Sequence, residues 1–113
     1  MDYQGNAQFF LAIKAPGELE DVGDAIFEDH QAFMSRTHHR DGDNALLQYT
    51  VSKLTNDDGT VTYLLCEVYE APAGVAEHIK LAQADALWDP FHDFLSKCEV
   101  IGGGPGTIIS SLW

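Results

Sequence analysis

The order in which two kinds of hydrophobic period follow one another restricts the fold of this chain more than any other feature. In residues 7–15, 45–55 and 60–70 apolar and polar side chains alternate, which is typical of β-strands. From Glu18 onward, between the first two of these segments, apolar residues recur every three or four positions, as in an amphipathic helix. A second helical pattern, divided into two pieces, follows residue 70. The sequence therefore predicts the order β-α-β-β-α, with a last strand near the end.

Glycine and proline decide how the last part of the chain is interpreted. Residues 71–72 open the second helical region, and Pro90 lies in the first turn of its second piece, where a missing N–H costs least. The glycine-rich run 102–106 is typical of a loop, so we expect the last strand at 107–113. An alternative start for that strand lies before the glycines, at 99–101.

The complete order, β-α-β-β-α-β, predicts an α+β protein with a ferredoxin-like fold, in one domain that spans residues 1–113. Such a unit has a four-stranded antiparallel sheet with helices on one face, and its other face is open. The strand at 60–70 is substantially apolar on both faces, so both faces need a cover. The simplest cover is a second copy of the chain. The sequence therefore predicts a homodimer that forms through the open sheet face.

The charge of the chain argues against two classes of partner. Lys and Arg number 6 against 18 Asp and Glu, which gives a net charge of −12. A nucleic-acid-binding protein needs a cationic surface, and an anionic membrane surface repels an acidic one. We therefore expect no nucleic acid and no membrane as partners. The first residues lack the basic start and long apolar block of a signal peptide, so a cytoplasmic location is expected.

One segment carries a resemblance to a known family. Residues 63–70 read Tyr-Leu-Leu-Cys-Glu-Val-Tyr-Glu, an aromatic-rich strand, and a helix with Ala-Glu-His-Ile at 76–79 follows. In these residues and in its element order the chain resembles the dimeric α+β barrel superfamily, and within it the antibiotic-biosynthesis-monooxygenase-like group. The resemblance implies two ferredoxin-like copies in one barrel and a pocket between sheet and helices. Members include cofactor-independent oxygenases, haem-degrading enzymes and small-molecule isomerases, and the fold alone does not choose among them.

His30 is the most informative candidate for chemistry. It continues the apolar stripe of the first helix, four residues after Ile26 and three before Phe33, so it is expected to face the sheet. A buried imidazole needs a hydrogen-bond partner or a function, and its ordinary pKa suits proton transfer near neutral pH. His30 is thus either a core histidine satisfied by a neighbour, or an acid, base or orienting group that lines a pocket.

A carboxylate and two tyrosines share one face of the strand at 60–70. Glu67 lies between Leu65 and Tyr69 on that face, where a carboxylate must find a donor or stay protonated. It is either paired for structural reasons or acts as a general base. Tyr63 and Tyr69 either orient a polar atom of a substrate or pack as core aromatics. The predicted catalytic residues are therefore His30, Glu67 and Tyr69.

Aromatic and histidine side chains supply the walls of the pocket that the resemblance implies, although each also fits an ordinary place in the core. The predicted ligand-binding residues are Phe9, Phe27, Phe33, Tyr49, Tyr63, His78, Trp88, Phe91 and His92. In haem-degrading relatives a histidine at the place of His92 binds iron. His78 stands where those relatives have a tryptophan, so we predict no haem.

No metal and no cofactor are predicted. His38 and His39 lie near Asp41 and Asp43, but their spacing fits no common metal site. We expect a cofactor-independent oxygenase- or isomerase-like protein with an apolar pocket for an aromatic or aliphatic small molecule. The alternatives are a non-catalytic binding protein for such a molecule, and a structural or regulatory homodimer.

Overall fold

The computed structural model describes residues 2–112 and shows an α+β protein in which helices pack on one face of a sheet. Its elements are, in order, β1 (Ala7–Ala15), a short 3-10 helix (Gly17–Leu19), α1 (Glu20–Thr37), β2 (Leu46–Thr55), β3 (Val61–Tyr69), α2 (Pro72–Ala84), α3 (Trp88–Ser96) and β4 (Glu99–Thr107). The bounds of β1 agree with the predicted ones, because strict alternation between residues 7 and 15 ends at Pro16-Gly17.

The sheet has four strands in the order β2-β3-β1-β4, and every neighbouring pair is antiparallel. The two central strands are therefore β3 and β1. Glu67 of β3 lies opposite Phe9 of β1 on one side and opposite Tyr49 of β2 on the other. Residues paired in this way point to the same face of a sheet, so these three side chains form one row under the helices.

The apolar core lies between the sheet and the first and third helices. Its buried members are Ile13, Ala15, Ile26, Phe27, Val61, Tyr63, Leu65 and Phe94. Tyr63 brings a hydroxyl into this core, and that hydroxyl lies 2.9 Å from the Glu20 carbonyl oxygen and 2.7 Å from Asp24 Oδ1 in the first turns of α1. Gly23 makes room for it, because a Cβ there would lie 2.6 Å from the Tyr63 hydroxyl oxygen.

The predicted glycine loop at 102–106 is wrong. These residues belong to β4 and pair with residues 8–12 of β1, while residues 108–112 form no strand. The alternative start at 99–101 is confirmed, because β4 begins at Glu99. Trp113, the end of the predicted strand, lies outside the described residues. The physical reason is that ladder hydrogen bonds use backbone groups alone, so a segment with few side chains still pairs at the edge of a sheet. The register shifts between Ala12 and Ile13, which marks a bulge in the ladder.

The opposite face of the sheet carries exposed apolar side chains. Phe10 is 37% exposed, Leu64 41% and Leu54 62%. Isolated exposed apolar residues are ordinary, but these three lie on one face of one sheet. None of the helices between residues 2 and 112 combines the length and the apolar run that a bilayer crossing requires.

Candidate functional site

Each of two helices places one buried histidine beside Glu67, in the row that Glu67 forms with Phe9 and Tyr49. His30 belongs to the buried stripe of α1, as its spacing predicts, and His78 belongs to the buried stripe of α2. Gly74 allows α2 to approach the sheet, since a Cβ there would lie 2.8 Å from the Tyr69 ring and 3.1 Å from the Asn44 carbonyl oxygen. His78 follows one turn later on the same side of the helix. The ring centroids of the two histidines are 6.0 Å apart.

Both histidines direct Nε2 at the carboxylate of Glu67. The distances are 3.9 Å from His30 Nε2 to Oε2 and 3.6 Å from His78 Nε2 to Oε1. Tyr69 donates its hydroxyl hydrogen to Oε1 over 2.5 Å. The other oxygen, Oε2, has no hydrogen-bond partner among residues 2–112, although Glu67 is completely buried. Each of the three side chains offers one ligand atom, and these atoms lie within 4.8 Å of one another.

The second nitrogen of each histidine has a partner of its own. His30 Nδ1 lies 2.8 Å from the Tyr49 hydroxyl oxygen. His78 Nδ1 lies 2.9 Å from His38 Nε2, and His38 Nδ1 lies 2.9 Å from Thr37 Oγ1. The Thr37 hydroxyl in turn lies 2.7 Å from the Phe33 carbonyl oxygen. A continuous chain of hydrogen bonds therefore runs from the backbone of α1 to His78.

This chain determines which nitrogen of His78 carries hydrogen. A carbonyl oxygen only accepts, so Thr37 donates to Phe33 and must accept from Nδ1–H of His38. Neutral His38 then has a lone pair on Nε2, which accepts from Nδ1–H of His78. Neutral His78 is left with a lone pair on Nε2, directed at the carboxylate of Glu67. Two acceptors thus face each other in the interior.

Burial keeps the imidazoles neutral and disfavours the carboxylate. Loss of water, partly offset by the Tyr69 hydrogen bond, raises the pKa of Glu67 to about 7. Loss of water also lowers the pKa of His30 to about 4 and that of His78 to about 3, with a smaller contribution from the neighbouring histidines. Burial raises the pKa of Tyr49 and Tyr69, so both keep their hydroxyl hydrogens. The histidines therefore supply no positive charge to Glu67 at neutral pH.

A cavity of about 180 Å³ lies beside the two histidines. Its lining is mostly apolar and consists of Phe9, Leu11, His30, Phe33, Leu65, His78, Ile79, Ala82, Asp85, Leu87, Trp88, Phe91, His92 and Leu95. An apolar cavity of about 150 Å³ is large enough for benzene. The cavity therefore has room for a molecule with one ring or a short aliphatic chain.

The structure brings together most of the residues predicted for the site. Of the predicted ligand-binding residues, six line the cavity: Phe9, Phe33, His78, Trp88, Phe91 and His92. The predicted catalytic His30 also lines it, while Glu67 and Tyr69 lie behind the histidines and Tyr49 lies beside His30. Phe27 and Tyr63 have a different place, since their rings pack 5.0 Å apart in the apolar core.

Sequence reasoning missed the role of His38. In the sequence His38 stands with His39, Asp41 and Asp43, but the structure separates it from His39. His38 turns inward to His78, while His39 lies at the surface with Nε2 3.6 Å from Glu77 Oε1. The signal available in the sequence was the helical period. Thr37 continues the buried stripe of His30 and Phe33, and His38 follows it directly. No local spacing connects His38 with His78, forty residues away.

Comparison of the chain with known protein families, with curated proteins and with solved structures found no match.

Proposed function

We propose that this chain is a small-molecule enzyme of the oxygenase or isomerase type, and that its substrate is an apolar molecule with one polar group. One observation carries the proposal: a ring-sized apolar cavity has two buried histidines in its wall and a buried carboxylate directly behind them. Ligand sites commonly combine apolar walls with a few converging polar groups. The apolar body of the substrate lies against Phe33 and Phe91, and its polar group faces His30 and His78.

The buried carboxylate favours an enzyme over a plain binding protein. A binding protein for an apolar molecule gains nothing from Glu67, whose Oε2 is buried without a hydrogen-bond partner. Leaving such a group unpaired lowers the stability of the fold. Strongly perturbed buried groups beside a cavity are more typical of active sites. In this proposal His30 contacts the substrate, and Tyr69 positions Glu67 through its hydrogen bond.

The ferredoxin-like identity of the unit and its dimer belong to the same proposal. The strand order β2-β3-β1-β4 and the helices on one face support the first. The exposed Phe10, Leu54 and Leu64 on the other face support a second copy packed sheet against sheet, as in the dimeric α+β barrel proteins that the chain resembles.

Size measurement in solution tests the dimer. Leu64→Glu places a charge on the open sheet face, and Val22→Glu places one on α1, where Val22 is 49% exposed. We expect a dimer for the wild type and for Val22→Glu, and a monomer for Leu64→Glu, by light scattering coupled to size exclusion. A monomeric wild type at micromolar concentration would contradict the dimer.

Two alanines of α2 provide a matched test of the cavity. Ala82 lines the cavity, whereas Ala84, two residues later, is exposed. A leucine at position 82 takes up cavity space, and a leucine at position 84 does not. We expect denaturing extraction to release the same apolar molecule from the wild type and from Ala84→Leu, but not from Ala82→Leu. Equal release from all three proteins, or release from none, would contradict a ligand in this cavity.

Incubation of the released molecule with fresh protein then separates catalysis from binding. We expect the wild type to convert it or its close analogues, and His30→Gln to do so at least about a hundredfold more slowly. A molecule that is bound but never converted would leave the binding protein as the correct function. Turnover that is unchanged in His30→Gln would show that His30 has no part in the reaction.

A further inference from the structure

We propose that His30, Glu67 and His78 bind one divalent transition-metal ion, through Nε2 of each histidine and through the carboxylate. The three residues come from α1, β3 and α2, so the fold and not a sequence motif assembles the set. Two histidines and one carboxylate are a ligand set of catalytic zinc sites and of non-haem iron(II) sites.

The distances fit a shared ion better than they fit hydrogen bonds. Direct N–H···O bonds measure about 2.7–3.2 Å, and the contacts of 3.6 and 3.9 Å between the Nε2 atoms and Glu67 are too long. Two ligands that each lie about 2.0–2.2 Å from one ion are about 3.4 Å apart at a tetrahedral angle. All three ligand atoms lie within 4.8 Å of one another, so small side-chain movements bring them to that separation.

The arrangement of acceptors also favours a cation. The hydrogen-bond chain through Thr37 and His38 leaves a lone pair on His78 Nε2, facing Oε1 of Glu67. Oε2 has no donor, and no Lys or Arg of the described part of the chain forms an ion pair with Glu67. A proton on the carboxyl group serves one oxygen only. A metal ion binds the lone pair and the carboxylate together.

Each of the three ligands is fixed by an outer partner. Tyr49 hydrogen-bonds with Nδ1 of His30, His38 hydrogen-bonds with Nδ1 of His78, and Tyr69 donates to Oε1 of Glu67. Metal-binding histidines nearly always hydrogen-bond through the second nitrogen, which sets the tautomer and the ring orientation. The site therefore has the supporting contacts that a metal centre needs before the ion arrives.

The position of the cavity indicates what the ion would do. His30 and His78 line the cavity and Glu67 lies directly behind them, so an ion held by the three side chains would lie at the wall of the cavity. This step rests on the proposed function: the polar group of the apolar substrate is then an oxygen donor that binds the ion. The ligand set itself is inferred without reference to any substrate.

Titration of chelator-treated, dialysed protein with Co²⁺ tests the site, since Co²⁺ in a nitrogen–oxygen site of low coordination number absorbs visible light. We expect one Co²⁺ per chain, a visible band, and loss of the band when Zn²⁺ is added. An exposed histidine outside the cavity is the matched control: His39→Gln is expected to keep both the stoichiometry and the band.

Variants of the ligands locate the ion. We expect His78→Gln and Glu67→Gln each to lose the band and the tight site, with an unchanged near-ultraviolet circular dichroism spectrum as the check of folding. His38→Gln removes a positioning residue, so we expect about 10–100-fold weaker binding, a shifted band and an unchanged stoichiometry.

Three results would overturn the metal site. They are no binding of Co²⁺ or Zn²⁺ by the wild type, a band that survives in both His78→Gln and Glu67→Gln, and a band lost in His39→Gln. The titration needs no substrate, so its failure leaves the cavity proposal standing. Failure of the Ala82→Leu and Ala84→Leu comparison likewise leaves the ligand set standing.

Discussion

Two tyrosines on the same face of β3, Tyr63 and Tyr69, each hydrogen-bond a carboxylate, but only the carboxylate beside Tyr63 also contacts a lysine. Tyr63 lies 2.7 Å from Asp24, and Lys53 Nζ lies 2.9 Å from the other oxygen of that carboxylate. Tyr69 donates to Glu67 in the same way, but two neutral imidazoles stand where the first pair has its lysine. The hydrogen bonds from Lys53 and Tyr63 hold the pKa of Asp24 below its ordinary value, whereas burial raises that of Glu67 to about 7.

The difference indicates what each end of the strand is for. The Asp24 end is a complete ion pair at the surface, with its lysine 37% exposed, and it fixes the first turns of α1 to the sheet. The Glu67 end is fully buried, beside a cavity, and lacks a cation among the residues described. The second pair therefore resembles the first with its positive charge removed, which is the arrangement expected of a site that binds a cation.

Addition of a metal ion should give the largest effect and separate the two ends most clearly. A ligand that binds only the folded state, at 100 to 1,000 times its Kd, stabilises it by about 3–4 kcal/mol. We expect Zn²⁺ to raise the free energy of unfolding of the wild type by this amount over the chelator-treated protein, measured by urea denaturation. Asp24→Asn is expected to show the same gain, and His78→Gln is expected to show none. A Zn²⁺-dependent gain in the free energy of unfolding of His78→Gln would show that the ion binds elsewhere.

Two glycines allow a comparison of intermediate size. Gly23 lies against Tyr63 and Gly74 against Tyr69, and a Cβ at either place would come within 2.8 Å of a tyrosine atom. We expect Gly23→Ala and Gly74→Ala each to lower the free energy of unfolding by about 1–3 kcal/mol through overpacking. Only Gly74→Ala is expected to weaken Co²⁺ binding, because α2 carries His78. Equal Co²⁺ affinity in both variants would contradict this coupling.

Neutral isosteres of the two carboxylates should have opposite effects on the metal-free protein. Glu67→Gln removes a buried carboxylate whose Oε2 has no hydrogen-bond partner, and its amide oxygen is able to keep accepting from Tyr69. We expect it to raise the free energy of unfolding by about 1–2 kcal/mol in chelator and to be less stable than the wild type in Zn²⁺. Destabilisation in chelator would show that Oε2 of the wild-type carboxylate already has a partner.

Asp24→Asn should give the smallest effect. Because the surface pair is screened by water, we expect a loss below about 1 kcal/mol at pH 7. The folded-state pKa of Asp24 is lowered, so its contribution is present above the unfolded-state pKa and disappears as the pH falls through the folded-state pKa. Urea denaturation should therefore separate wild type from variant at pH 7 but not at pH 2. A difference that persists at pH 2 would have another cause.

The hydrophobic periodicity and the positions of glycine and proline predicted the outline of the fold. Alternation placed Tyr63, Glu67 and Tyr69 on one strand face, and the helical stripe turned His30 inward, as the structure has them. The last strand was misplaced because a composition argument took residues 102–106 for a loop, while pairing with β1 depends on backbone groups that composition does not reveal.

Most of the site's members were also predictable, but their contacts were not. Periodicity assigns a residue to a face, and it does not say which residues of two helices meet over one strand. The contacts of His30 with Tyr49 and of His78 with His38 therefore appear only in three dimensions. The sequence analysis predicted no metal for the same reason, since the members of the proposed ligand set are separated by 37 and 11 positions along the chain.

A crystal structure of the zinc-soaked protein, measured on both sides of the zinc absorption edge, tests the central claim most directly. The account predicts an anomalous peak bounded by His30 Nε2, His78 Nε2 and the Glu67 carboxylate, at about 2.0–2.2 Å from each ligand atom. Full-occupancy zinc at surface carboxylates, with no peak between these three residues, would contradict it.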